Sequence, residues 1–350
     1  MTSRERVLAA FGHKEPDRIP KWCGASPEFW EKAKKELNLD DEGLRQRFGD
    51  DFRRVYAAYR GPEVKLSKGA TWKSPFGIER IGIGYGQPLS HPLAGVKTVE
   101  EVEEFPWPDP EWMDPAGIVK EAEPFLGEYA ILGGDWSPFW HDVIDLLGHE
   151  NLYYKMYDYP ETVLKIFERV TDYYYAVSEN IFQETGKAID IFFIGNDLGS
   201  QTGPLLGVDL FSCFVLPQLQ RLIDLGHKYG KKVMLHCCGG FRPFIPLLIE
   251  AGLDGLHALQ PDAQGMDPRG LKNDFGDKIV LNGAIDSHHI LIKGKNPKFV
   301  AEKVKEILAI MAPGGGYIAG ASHDTILEET PVENVLAMFD AVDRFSGFSD

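Results

Sequence analysis

The stretch Lys232-Val233-Met234-Leu235-His236-Cys237-Cys238-Gly239-Gly240 runs apolar from Val233 to Leu235 and then turns abruptly polar and glycine-rich. A helical pattern over 208–229 precedes it and a shorter one over 244–252 follows it, so it reads as the strand of a βα unit. Working outward, the same alternation runs from about residue 129 to the end of the chain. Strand candidates cover 129–133, 189–195, 232–236, 253–259, 278–282 and 316–319, and further helices cover 159–185 and 297–311. Repeated βα units imply an α/β fold with a parallel sheet, and their number implies a (β/α)8 TIM-type barrel. An early strand over 17–22, punctuated by Pro16 and Pro20 and preceded by a helical segment over 4–11, brings the count to seven and leaves the eighth unassigned. Residues 56–110 are rich in Gly, Pro and Trp, with hairpin-like alternation at 64–66 and 78–83. The expected organisation is one domain over 1–350, a single barrel with an N-terminal helical extension and a β-hairpin insertion.

A chain of 350 residues with 43% hydrophobic and 26% charged content buries a substantial core. Its net charge of -16, with no basic run, repels phosphate backbones and anionic lipid. No nucleic acid and no membrane is therefore expected among its partners; a small molecule or a protein fits better, and a homodimer stays open as an assembly. Residues 1–20 carry too many charges for a signal peptide, and no apolar run is long enough to cross a bilayer. Cys23, Cys213, Cys237 and Cys238 include an adjacent pair, which disfavours a disulfide framework and suits a reducing compartment. The expected location is the cytoplasm. No glycine-rich phosphate loop and no GxSxG elbow is present, which removes local support for nucleotide binding and serine hydrolysis.

In such a barrel the active site forms at the C-terminal ends of the strands. His236 and Cys238, two apart, fall on the same side of an extended chain and offer an imidazole and a thiolate to one metal ion. The bland alternative is a hydrogen-bonded core histidine beside small buried cysteines. After the last strand, Ser322-His323-Asp324 brings another imidazole and a carboxylate to the rim, making His323 a third candidate ligand, with Asp324 beside it. Asn196, Asp197 and Gln201 follow the 189–195 strand as hydrogen-bonding groups for a polar substrate, and Asp286 follows Asn282 as an acid or base; both loops also read as ordinary turn chemistry. Trp136, Phe139 and Trp140 offer aromatic walls for a small-ligand pocket, or else simple core.

The opening Arg4-Glu5-Arg6-Val7-Leu8-Ala9-Ala10-Phe11 with Pro16-Asp17-Arg18-Ile19-Pro20 resembles the start of uroporphyrinogen decarboxylase superfamily proteins. The similarity continues through Asn196-Asp197, Leu235-His236-Cys237-Cys238-Gly239, Gln260-Pro261, Asn282-Gly283-Ala284-Ile285-Asp286 and Pro331-Val332-Glu333-Asn334-Val335. The porphyrin decarboxylases carry an arginine-rich loop after the first strand, where this chain has Lys21-Trp22-Cys23-Gly24-Ala25-Ser26. The corrinoid-linked methyltransferases bind zinc through His-x-Cys and a later cysteine; His236 and Cys238 match the first two, and His323 or Asp324 stands where the cysteine would be.

The resemblance implies a zinc-dependent methyltransferase that moves a methyl group from a small methylated compound, best an aromatic methyl ether as in anaerobic O-demethylases, to a cobalt corrinoid on a separate partner protein. His236, Cys238 and His323 would hold zinc. Asp197 or Asp286 would position substrate or manage a proton. Trp22, Trp136, Phe139, Trp140, Asn196, Gln201 and Asn282 would surround the substrate. Two rivals remain: a metal-free decarboxylase of a small acid or a uroporphyrinogen-like compound, with Arg242 at the substrate carboxylate, and a non-catalytic ligand-binding barrel.

Overall fold

The computed structural model describes residues 1–82 and 86–346. Seven parallel strands form one sheet in simple sequential order: β1 (Phe52–Arg54), β2 (Ala130–Gly133), β3 (Ile191–Gly195), β4 (Lys232–His236), β5 (Gly255–Leu259), β6 (Val280–Ile285) and β7 (Tyr317–Ala321). The segment 20–23 closes the ring. The Trp22 amide donates to the Ala319 carbonyl at 2.9 Å and the Ala319 amide to the Pro20 carbonyl at 2.8 Å, while on the other side the Asp51 amide reaches the Lys21 carbonyl at 3.0 Å. Proline at position 20 supplies no donor, so this eighth position makes a sparse ladder. The result is the TIM-type barrel expected from the sequence.

The strand left unassigned is β1. Phe-Arg-Arg does not look like buried β-structure, yet Arg53 is 3% exposed because Glu42 takes its guanidinium at 2.6 Å and the Tyr129 ring lies 3.7 Å from it. A buried cation is tolerated when its charge and donors are satisfied in this way. The family-like opening residues prove to be fasteners. Arg6 and Arg18 both reach the wholly buried Asp51, at 2.9 and 2.8 Å; Asp51 also accepts from the Lys21 amide at 2.7 Å, and Arg6 binds Asp17 at 2.7 Å. The helix Ser3–Phe11 thereby plugs the barrel floor with Val7, Ala10 and Phe11, beneath an interior of Phe52, Leu132, Phe193, Met234, Val280 and Ile318.

Outside the ring, the helix Pro160–Thr185 buries Val163, Ile166, Phe167, Val170, Tyr174, Val177 and Ile181, the three-to-four spacing that marks one apolar face. The expected helix over 208–229 is interrupted by a π-helical stretch, Phe211–Val215, just before Leu216–Lys228. Pro217 lacks the amide that would continue the regular ladder, and the wider turn absorbs the mismatch. In the insertion, Trp72–Lys73, Glu79–Ile81 and Gln87–Pro88 form an antiparallel ribbon. The hairpin expected at 64–66 is not there: Val64 and Leu66 lie exposed in irregular chain, with nothing to pair against. Of the alternation expected at 78–83, Ile83 falls outside the described residues.

Asp50 sits beside this closure, almost wholly enclosed, and its carboxyl is pushed up to about 6, chiefly by burial, against the pull of Arg45 and Arg53. With the folded value above the ordinary carboxylate value of 3.8, the folded state retains its proton longer than the unfolded chain. Stability contributed by this group is present below about pH 4 and is lost as pH rises through 6, by about 3 kcal/mol. Asp50→Asn, which keeps an oxygen for the backbone amides, is expected to gain melting temperature relative to the parent protein between pH 4.5 and pH 7.5. A difference in melting temperature that stays constant across that range contradicts this account.

Candidate metal and substrate site

Strands β3 and β4 pair in register with His236 opposite Gly195, and the Asn196 amide extends the ladder to the His236 carbonyl at 2.9 Å. This places Asp197 across from Cys238, whose backbone amide donates to Asp197 Oδ1 at 2.8 Å. His236 Nε2 lies 3.3 Å from Asp197 Oδ1 and 3.3 Å from Cys238 Sγ. One donor atom from each of Asp197, His236 and Cys238 falls within 4.8 Å of the other two. Nitrogen, sulfur and oxygen donors converging from two strand ends are a zinc-type ligand set with the three protein ligands that a catalytic site requires.

The electrostatics point the same way. Burial opposes charge on His236, but the Cys238 thiolate and Asp197 outweigh it and hold the imidazole well above its ordinary value. Burial likewise opposes the Cys238 thiolate, and the His236 charge with hydrogen bonds from His236 and His323 overcomes it, so the thiol is lowered. Asp197, also penalised by burial, is held below the usual carboxylate range by His236, His141 and the Cys238 amide. Two acceptors, the Cys238 thiolate and the Asp197 carboxylate, therefore crowd the His236 Nε2 proton, and a metal cation in the place of that proton would satisfy all three donor atoms.

A second layer fixes the first. His236 Nδ1 stands 3.0 Å from Nδ1 of His257, its partner in the β4–β5 register. Burial, followed by repulsion from His236, keeps His257 well below its ordinary value, so His257 accepts and the His236 tautomer is set with Nε2 facing Cys238. His141 Nε2 accepts from the Asp197 amide at 3.2 Å, which orients that loop.

His323, expected as a ligand, is not in the converging set: its Nδ1 is engaged by the Thr325 backbone amide at 3.1 Å, and interaction with the Cys238 sulfur, against burial, raises its basicity. Asp324 instead groups with His236 and His257, 3.9 Å from His257 Nδ1.

Above these residues opens a cavity of ≈ 830 Å³, lined by Trp136, Phe193, Leu132, Arg54, Tyr56 and Trp72 as well as Asp197, His236, Cys238, His323 and Asp324. Trp136 lies across Gly195, where a Cβ would stand 1.9 Å from the indole, and its ring is 4.9 Å from Phe193 and 5.4 Å from His236. Gly195→Ala is expected to displace the indole, costing about 1–3 kcal/mol of stability and weakening binding of any ligand that packs on it; unchanged melting and ligand affinity would contradict this placement.

Several expected site residues lie elsewhere. Phe139 and Trp140 occupy the first turn of the helix Phe139–Leu147, fully buried against Phe167. Asn196 holds the Trp140 amide and the Ser137 carbonyl, and so serves the scaffold. Gln201 is bound to Gln260 and Asp262 on the rim. Asn282 is enclosed in the barrel beside the Met234 sulfur. Asp286 caps the following π-turn through the His288 and His289 amides. Trp22 lies within the barrel, its ring 4.9 Å from Phe193 and 4.6 Å from His257. Arg242, proposed to hold a carboxylate, is engaged by Asp274 and the Gly265 carbonyl, away from the cavity. Conversely, His257, His141 and Arg54 escaped the sequence reading. His257 carried the one available signal, an imidazole two residues from the end of an apolar strand.

Fold and site together define a barrel with a metal-competent cavity at the C-terminal ends of its strands, the usual position of catalytic sites in this architecture. Residues 93–345 match the family model described as Uroporphyrinogen decarboxylase (URO-D), and the chain belongs to that family. Among solved structures, a methyltransferase from Methanosarcina mazei superimposes with a TM-score of 0.66 over 99% of this chain and 99% of that one, at 18% identity; at that identity the likeness establishes the fold. A search of curated protein sequences finds no match. Among the described residues, no helix is long and apolar enough to cross a membrane.

Proposed function

We propose that the chain is a methyltransferase that removes a methyl group from a small methylated compound, best an aromatic methyl ether, and delivers it to the cobalt of a corrinoid carried by a separate protein in the cytoplasm. The observation that carries this reading is the convergence of Asp197, His236 and Cys238 at the base of a cavity walled in part by Trp136, Phe193, Tyr56 and Trp72. The methyltransferase structure from Methanosarcina mazei, of the same fold, supports it. His236, Cys238 and Asp197 would hold zinc. When bound, zinc supplies Lewis acidity to the ether oxygen, which makes an otherwise inert methyl group transferable.

The chain's own residues do the rest. Trp136 and Phe193 give an aromatic ring an apolar surface to stack on and exclude water. His257 holds His236 in one tautomer, and His141 holds the Asp197 loop. His323, on the cavity wall and raised in basicity by its bond to the Cys238 sulfur, is placed to deliver a proton to the departing oxygen. His323→Ala should accordingly slow turnover while leaving metal content unchanged.

The test mixes the protein with reduced corrinoid protein and a panel of methoxylated aromatics labelled in the methyl group. Appearance of methylcobalt absorbance with the label on cobalt supports the reading. Release of carbon dioxide from an acidic substrate, with no methylcobalt from any donor, replaces it with the decarboxylase.

A further inference from the structure

We infer that the cavity takes a singly anionic substrate, a methylated compound with one carboxylate on an aromatic or apolar body, and that Arg54 holds the carboxylate. The inference deepens the proposed methyl transfer by naming the substrate class, and it rests on that reading only for the fate of the methyl group.

Three arginines line the mouth of the barrel around β1. Arg45 is paired with Asp50 at 3.0 Å and Arg53 with Glu42 at 2.6 Å. Among the described residues no carboxylate stands within 4.0 Å of Arg54; its one polar contact is the Tyr56 hydroxyl, at 3.3 Å. Glu28 and Asp324 also line the cavity and do not reach it. The guanidinium carbon instead sits 4.6 Å from the Phe193 ring centroid, 5.6 Å from Trp22 and 5.7 Å from Trp136. Three ring faces hold the guanidinium plane in place while leaving most of its five N–H donors without a protein acceptor.

Such a restrained, unpaired fork matches a carboxylate, which it can bind through two parallel hydrogen bonds. The rings themselves argue against the opposite charge. An aromatic cage suits a quaternary ammonium when its faces are open, but here a guanidinium already covers them, and a second cation would be repelled. Placement fits a small molecule, since Arg54 and His236 both lie close to one ring, that of Trp136, at 5.7 and 5.4 Å.

The test is calorimetric titration of the full chain with three probes of similar size: 4-methoxybenzoate, its neutral amide and the phenyltrimethylammonium cation. The benzoate is expected to bind at least about tenfold more tightly than the amide, with the cation weakest. In Arg54→Gln that preference should vanish while amide affinity is retained, and Arg54→Lys should restore part of it. The assignment is overturned if amide and benzoate bind alike, if the cation binds best, if none of the three binds, or if Arg54→Gln keeps the preference for the anion. Because binding is read without corrinoid or turnover, failure of methyl transfer leaves this result intact, and the converse also holds.

Discussion

Cys238→Ala is expected to leave the barrel folded and to lower methyl transfer by at least about a thousandfold, some 4 kcal/mol of barrier. The side chain is small and half-buried at a strand end, so its removal opens little space in the core. Its sulfur, however, lies 3.3 Å from His236 Nε2, interacts electrostatically with His323 and is the softest donor in the cluster. In the proposed site a metal would lose one of three ligands without it, and His323 would lose the partner that raises its basicity. Steady-state rates with reduced corrinoid protein, set beside circular dichroism and melting of the same variant, separate the two effects. A variant that melts as the parent does and retains more than a tenth of its rate would remove Cys238 from the mechanism.

The largest stability effect is expected away from the site, under the insertion. Arg80 is 1% exposed and forms ion pairs with Asp142, at 3.4 Å, and with Asp145, while its guanidinium lies 4.4 Å from the Trp72 ring. Asp142 also accepts from the Tyr174 hydroxyl at 2.5 Å, and burial pushes its carboxyl up to about 6 despite Arg80. Arg80→Met keeps the volume and removes the charge, leaving two enclosed carboxylates uncompensated. Breaking one side of a buried pair costs about 3–5 kcal/mol, which is about 4–7 °C in melting temperature for a chain of this size. The loss should shrink as pH is lowered toward 5, where Asp142 takes up a proton. Asp142→Asn in the Arg80→Met background should recover part of the loss. Equal melting of Arg80→Met and the parent protein at pH 7.5 would show that the insertion is not held through this network.

What the sequence made legible follows the periodicity of burial. Strands sealed on both sides, such as β3 and β4, show as continuous apolar runs with a polar break, and that break marks the strand end where the structure has His236 and Cys238. β1 was invisible because its two arginines are accommodated by tertiary contacts, Arg53 by the Glu42 carboxylate and Arg54 by three aromatic rings. Phe139 and Trp140 were misplaced because an aromatic run after a strand end is equally suited to cavity wall and to helix core; which it becomes depends on the phase of the helix that follows. The roles of Asn196 and Asp286 were lost for a related reason, since a polar residue after a strand can cap its own loop as readily as face a ligand. His257 and Arg54 become meaningful only through register and ring contacts, which composition does not encode.

X-ray absorption at the zinc edge tests whether Asp197, His236 and Cys238 bind zinc at the cavity floor. The predicted result is about one zinc per chain with a single sulfur neighbour near about 2.3 Å and nitrogen or oxygen neighbours near about 2.0 Å, the sulfur signal vanishing in Cys238→Ala. A protein that takes up no zinc when it is offered in excess, or one whose zinc shows no sulfur neighbour, would contradict it.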